Sequence, residues 1–179
     1  ITFNKTLIDA QCTLQYILNT KYDKNLGVCT FKLPEGKETC IDVLNLIFLI
    51  DRSGSMVEPG AHGKTKMQEV IDTLKKTIRC LIEHGAENPH LTQNITIVGF
   101  DDKTEIILST RNLKTIENAG ITTLEEFIDE KLYPRGATDI GAALDAATTI
   151  AGSISDNSRE VTVTLCLTDG DITRGVREP

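Results

Sequence analysis

The sequence predicts an α/β domain of three layers, with helices on both faces of a mainly parallel sheet. Three observations predict it. From residue 41 onward, apolar strand-like runs alternate with helical patterns; "VLNLIFLI" (43–50), "ITIVGF" (95–100) and "VTVTLCL" (161–167) are the strands. The first of these is continuously apolar, as strands buried on both faces are. And two of them end in an acidic residue beside a glycine-bearing loop, Asp51 before "RSGSM" and Asp169 in "TDGD". Ligands of open parallel sheets gather at the carboxyl ends of the strands, so both loops are expected on one rim.

Residues 1–40 have a different pattern and are read as a β-rich N-terminal segment. Cys12, Leu14, Tyr16 and Leu18 alternate with polar positions, and so do Cys29, Phe31 and Leu33. With the polar, turn-like "NTKYDKNLG" (19–27) between them, two or three antiparallel strands are expected. They would belong to a preceding domain or extend the sheet that follows. "LPEGKE" (33–38) then punctuates the chain.

Residues 41–179 are read as the α/β domain. Its first strand (43–50) leads into a glycine-rich loop (51–64). A helix follows with Met67, Val70, Ile71, Leu74, Ile78, Leu81 and Ile82 at helical spacing, and Gly85 is the expected stop. After the second strand and the turn "DDK" comes a third strand, "TEIILS" (104–109). A short helix over 122–132 would turn Leu124, Phe127, Ile128 and Leu132 inward. A second, over 139–154, would bury Ile140, Ala143, Leu144, Ala147, Ile150 and Ile154, its alanines allowing close packing on the sheet. The fourth strand ends at Thr168-Asp169-Gly170.

Composition narrows the partners. The chain of 179 residues is 40% hydrophobic and carries a formal charge of −7. It can bury a sizeable core, and its charge disfavours nucleic acid or an anionic membrane surface while suiting a cation. No apolar run approaches the roughly 18 residues of a membrane span. Five cysteines, at 12, 29, 40, 80 and 166, form no CxxC pair. An odd count without a framework favours free thiols in a reducing, intracellular compartment. Cys80 and Cys166 read as small core residues, and a Cys29–Cys40 bridge across a turn stays open.

The loop after the first strand carries the chemistry. Asp51, Ser53 and Ser55 alternate, so a tight loop bent at Gly54 can aim all three at one point. Oxygen donors alone suit a hard cation such as Mg²⁺, with Mn²⁺ or Ca²⁺ in the same role. Two neutral hydroxyls bring little charge, so a second carboxylate is needed, and Asp169 is the candidate. "YPRGATDIG" (133–141) offers Thr138 as a further hydroxyl. Each residue also has a plainer reading. Asp51, Asp169, Ser53 or Ser55 could cap a helix or fill a loop, and Thr138 could be the N-cap of the alanine-rich helix. Asp139 and Asp171 read as capping groups, His62, His84 and His90 as exposed, Lys64 and Lys66 as a solvated helix start. Only the joint occurrence on one rim outweighs these.

"DRSGSM", "RGATDIGAAL" and "LCLTDGD" together, in that order and strand context, resemble the metal-ion-dependent adhesion site of von Willebrand factor A domains, over about residues 41–175. The resemblance implies a Rossmann-like sheet of six strands in the order 3-2-1-4-5-6, so this chain is expected to be truncated after strand four. It implies that Ser53 and Ser55 bind the metal directly, Asp51 and Asp169 mainly through water, and Thr138 in either way. A partner's Asp or Glu would complete the shell, making the domain a non-enzymatic protein-binding module. The chain opens on Ile1 and stops at Pro179, which fits a piece of a longer multidomain protein.

Two alternatives compete. One is a structural scaffold in a larger assembly whose metal site is vestigial. The other is a nucleotide hydrolase, since "GAHGKTK" (60–66) is similar to a phosphate-binding loop. There the first glycine of the motif is replaced by Glu58, whose charge would repel phosphate. No Ser–His–Asp or Cys–His set lies on the rim.

Overall fold

The computed structural model describes residues 11–19, 24–32, 41–60, 63–154 and 159–170. His62, Asp171 and Cys40, and with Cys40 the question of its bridge to Cys29, lie outside the described residues. The chain divides into two compact units, Ile1–Thr39 and Cys40–Pro179. In the first, β1 (Gln11–Asn19) and β2 (Lys24–Lys32) form a two-stranded antiparallel sheet of their own. Gln11 stands opposite Lys32 and Asn19 opposite Lys24, so the strands take in residues at both ends of the expected turn.

The second unit runs β3 (Val43–Asp51), α1 (Lys66–Glu87), β4 (Thr92–Phe100), β5 (Thr104–Asn112), α2 (Leu113–Ala119), α3 (Ile121–Lys131), α4 (Ile140–Ser153) and β6 (Glu160–Leu167). The sheet order is β5-β4-β3-β6. β3 pairs in parallel with both β4 and β6, and β5 returns antiparallel along β4. This is the mixed, mainly parallel sheet that the alternating pattern predicts.

Successive residues of a strand point to opposite faces, and here the faces separate cleanly. Leu46, Phe48 and Ile50 of β3 and Ile95 and Ile97 of β4 pack with Met67, Leu74 and Ile78 of α1 and with Leu113, Ile116, Leu124 and Ile128 of α2 and α3. The alternate residues Ile47, Leu49, Val98 and Phe100 pack against Ala143 and Ala147 of α4. Each such side chain contributes about 1.5–3 kcal/mol when fully buried, so the two central strands dominate the core and fix Asp51 at their carboxyl end.

Several local expectations are corrected. α1 starts with a capping box between Thr65 and Gln68 but does not stop at Gly85; it continues to Glu87. Gly85 instead lies against Gln93, where a Cβ would come 2.6 Å from Oε1. The helix α2 was not expected; only Leu113 and Ile116 are buried in it, too few for a visible period, though Asn112 caps its start and Gly120, at φ 98°, its end. Leu144 is 51% exposed, because Ala143 and Ala147 form the contact stripe and Leu144 lies beside it. Cys80 and Cys166 are free and exposed rather than core. Cys80 follows Ile78 by two positions, off the buried stripe of α1, and Cys166 lies on β6, over which no described residue packs as α4 packs over Leu49. No described helix is long and apolar enough to cross a membrane.

Candidate metal centre

Asp51, the last residue of β3, is wholly buried. Its Oδ1 accepts a hydrogen bond from the backbone N–H of Ser53 at 2.8 Å, which folds the chain back over the strand end. Its Oδ2 accepts from Oγ1 of Thr168 at 2.5 Å, which ties β3 to the loop after β6. The parallel pairing of β3 with β6 makes that contact possible. A 3₁₀ turn, Gly54–Val57, follows, anchored by the buried Met56. Within this bend the hydroxyls of Ser53 and Ser55 meet at 3.0 Å.

A second loop, 132–139, is bonded onto this bend by its backbone. The N–H of Gly54 donates to the carbonyl of Gly136 at 3.1 Å, and the N–H of Arg135 donates to the carbonyl of Arg52. Asp139 N–H donates to the carbonyl of Asp101 at 2.8 Å. Gly136 has φ 69°, and a Cβ there would lie 2.9 Å from Oδ1 of Asp102, so only glycine lets the loop approach this closely. Thr138 is thereby wholly buried. It is not the N-cap of α4: Asp139 takes that role, its Oδ1 accepting from Ala142 N–H at 3.0 Å.

Asp169 stands on the β6 side, its side chain 9% exposed, and faces Nζ of Lys66 at 2.9 Å. Lys66 also reaches Oε2 of Glu58 at 2.7 Å. It is therefore not the solvated lysine its place at a helix start suggests. Hydrogen bonds from the ammonium to Glu58 first and to Asp169 second outweigh desolvation and hold its pKa well above the ordinary lysine value. Beside this pair a groove of about 340 Å³ opens between Met56, Val70, Leu167 and Thr168.

A charged frame lies on the other side, and the sequence reading missed it. Arg52, 1% exposed, sets Nη2 3.1 Å from Asp101 and Nη1 2.8 Å from Glu105. Arg135 grips the same two carboxylates, each at 2.8 Å. Burial alone would raise the Asp101 carboxyl, but the Arg135 hydrogen bond foremost, with the charge of Arg52, keeps it below the usual range. Glu105 is likewise lowered, by the Arg52 hydrogen bond first. Gly99 makes room for this: a Cβ on it would lie 2.6 Å from Nε of Arg52. The glycine inside the strand "ITIVGF" was the available signal, since strand glycines mark close approaches.

The candidate donors are all hard oxygens, which suits Mg²⁺, Mn²⁺ or Ca²⁺ and not a thiophilic metal. Among the described residues no group of three or more His, Cys, Asp and Glu is placed to hold a metal. The oxygen donors described on this rim are the hydroxyls of Ser53, Ser55 and Thr138 and the carboxylates of Asp51 and Asp169. Asp169 already carries a side-chain cation, the Lys66 ammonium.

Residues 46–171 match the family model of the von Willebrand factor type A domain. The chain belongs to this family. Its sheet is the β5-β4-β3-β6 part of such a domain. Among curated proteins none matches the chain. Among solved structures it is similar to the PilB minor pilin from Streptococcus sanguinis, with a TM-score of 0.58 and 17% identity over 90% of this chain and 46% of that one. An aerotolerance-related membrane protein from Bacteroides fragilis aligns with a TM-score of 0.54 and 18% identity over 74% of this chain and 57% of its own. The conserved hypothetical protein BatB from Bacteroides thetaiotaomicron gives 0.50 and 14%, over 69% and 52%. These likenesses establish the fold. The von Willebrand factor A chain described here spans about half the length of the structures it matches.

Proposed function

We propose that this von Willebrand factor A domain is a protein-binding module whose contact runs through a divalent cation, Mg²⁺ or in its place Mn²⁺ or Ca²⁺. Ser53, Ser55 and Thr138 would be its hydroxyl donors, and Asp51 and Asp169 would neutralise it largely through water. When bound, the ion supplies an electron-poor position that a carboxylate from outside can fill. The protein's own contribution is to keep that position under-neutralised: hydroxyls carry no charge, and Asp51 already spends its oxygens on Ser53 and Thr168. A partner presenting Asp or Glu follows from that imbalance.

One observation carries the reading. The Ser53 and Ser55 hydroxyls lie 3.0 Å apart on a bend pinned to buried Asp51, and the loop of Thr138 is bonded to the same bend. A capping or loop-filling role for the serines would not require that convergence; Ser53 precedes the 3₁₀ turn without a side-chain cap bond. Likeness to a minor pilin, and the matched span of about half of it, support a place inside a longer, multidomain chain. The reading is of a binding module and not an enzyme. The second reading, a scaffold with a vestigial site, draws on Lys66, whose ammonium could serve Asp169 permanently.

Calorimetric titration of Mg²⁺ and Mn²⁺ into the chain, followed by capture of aspartyl peptides on beads, separates the two. The wild type is expected to bind one ion and to retain aspartyl but not asparaginyl peptides, with chelator abolishing retention. Ser53→Ala/Ser55→Ala should do neither. No ion uptake at millimolar metal would overturn the proposal, and uptake without peptide capture would leave the scaffold.

A further inference from the structure

We infer that Lys66 is a tethered competitor for the cation position: its ammonium neutralises Asp169 in the metal-free protein and has to give that carboxylate up when a divalent ion binds. The inference rests on the proposed metal centre and adds its regulation.

Lys66 is the second residue after a loop that leaves the rim, and its capping box at Thr65 fixes where the helix, and so the lysine, begins. The side chain does not run out to solvent. It bends onto Asp169, 103 residues away in sequence, at 2.9 Å. A chain-borne ammonium acts at high effective concentration, so a free ion meets a rival that dilution cannot remove. Lys66 also has somewhere to go. Glu58, more than half exposed, holds the same ammonium at 2.7 Å, and the groove between Met56, Leu167 and Thr168 gives the side chain room to move. Retreat to Glu58 leaves Lys66 still paired, so releasing Asp169 costs less than stripping a lone lysine would. The nearby Lys64 makes no such contact; it pairs with Asp72 on the outer face of α1. Two lysines of equal charge, two positions apart, are thus predicted to differ in what they do to metal affinity.

Titration of Mg²⁺ alone into wild type, Lys66→Met, Lys66→Arg and Lys64→Met tests this by calorimetry, with melting temperatures taken with and without metal. Lys66→Met is expected to tighten Mg²⁺ about three- to five-fold, the upper part of the scale of a partly exposed ion pair. Lys66→Arg and Lys64→Met should stay within about two-fold of wild type. Without metal, Lys66→Met should melt lower than wild type, and saturating Mg²⁺ should close the gap. Lys66→Gln carries the same expectation should the Met variant not fold. Equal or weaker binding by Lys66→Met overturns the competitor role while wild-type binding leaves the metal centre standing. An equal gain in Lys64→Met also overturns it, since the effect would then be loop charge alone. Failure of wild type and Lys66→Met alike to bind would remove the metal centre and this inference together.

Discussion

The two sides of the rim are built by different means. On the Arg52 side, two guanidinium groups and two carboxylates interlock, and backbone hydrogen bonds fasten the 132–139 loop to the 51–55 bend. On the Asp169 side, the contacts are side-chain ones: Thr168 to Asp51, the Gly170 N–H back to Thr168 at 3.0 Å, and Lys66 to Asp169. The first side cannot change without breaking backbone bonds or baring a buried charge. The second is held by side-chain contacts that a rotamer change of Lys66 would undo. The hydroxyl pair of Ser53 and Ser55 falls on the rigid side, as the proposed metal centre would require.

Removing Arg52 is the harshest way to break that contrast. Breaking a buried ion pair from one side costs about 3–5 kcal/mol, because the remaining charge is left without compensation. Arg52→Met should destabilise the domain by about 3 kcal/mol in urea unfolding, the low end of that range, since buried Asp101 keeps Arg135 as its remaining partner. A loss below about 1 kcal/mol, the value of a surface pair, would show that the frame is ornamental. Gly99→Ala comes next. A methyl 2.6 Å from Nε of Arg52 would force the buried guanidinium aside, and overpacking of that kind costs about 1–3 kcal/mol. Alanine in a strand otherwise outdoes glycine, so the sign alone tells whether the Arg52 contact governs.

Where the sequence was legible, the reason was periodicity or the spacing of a loop. β3 and β4 read correctly because both their faces are buried, and the Asp51-Ser53-Ser55 alternation read as a bend because hydroxyls at i and i+2 can meet only there. The helix α2 was invisible because two buried residues make no period. Arg52 was invisible for a different reason: a basic residue between Asp51 and Ser53 reads as solvent-facing, and its burial depends on partners 49 and 53 positions away, Asp101 and Glu105. Lys66, only partly covered, misled because one of its partners, Asp169, lies 103 positions away. Burial of charge is a property of the tertiary neighbours, and one sequence alone does not reveal them; the glycine at 99 was the one local trace.

Deleting the hydroxyls tests the division of labour more gently. Ser53→Ala/Ser55→Ala removes a hydrogen bond worth about 0.5–1.5 kcal/mol and touches none of the frame around Arg52. Its melting temperature without metal should fall only slightly. The rise that Mg²⁺ gives the wild type should vanish. A large loss of stability in chelator would mean that the serines serve the fold, and the rigid side would then have no hydroxyls to spare for a ligand.

The smallest effect sharpens the comparison by pH. Glu105, hydrogen-bonded by Arg52 and then by Arg135, has its carboxyl held below its ordinary value of 4.5. A carboxylate lowered in the folded state contributes stability that is present above the unfolded value and is lost as pH falls through the folded one. Lys66 is raised above its ordinary 10.5, so its contribution is complete below that value and disappears only as pH climbs past it. Toward alkali the two sides thus differ, since only the Lys66 pair loses its charge there. Glu105→Gln should lie slightly below wild type in stability at neutral pH and converge with it in acid below about 4.5, whereas Lys66→Met should keep its deficit from neutral pH through pH 11, where the ammonium is still charged. Unfolding free energies measured from pH 3 to 11 would show the pattern, and a Glu105→Gln curve parallel to wild type throughout would mean that this ion pair does not differ between the folded and unfolded chain.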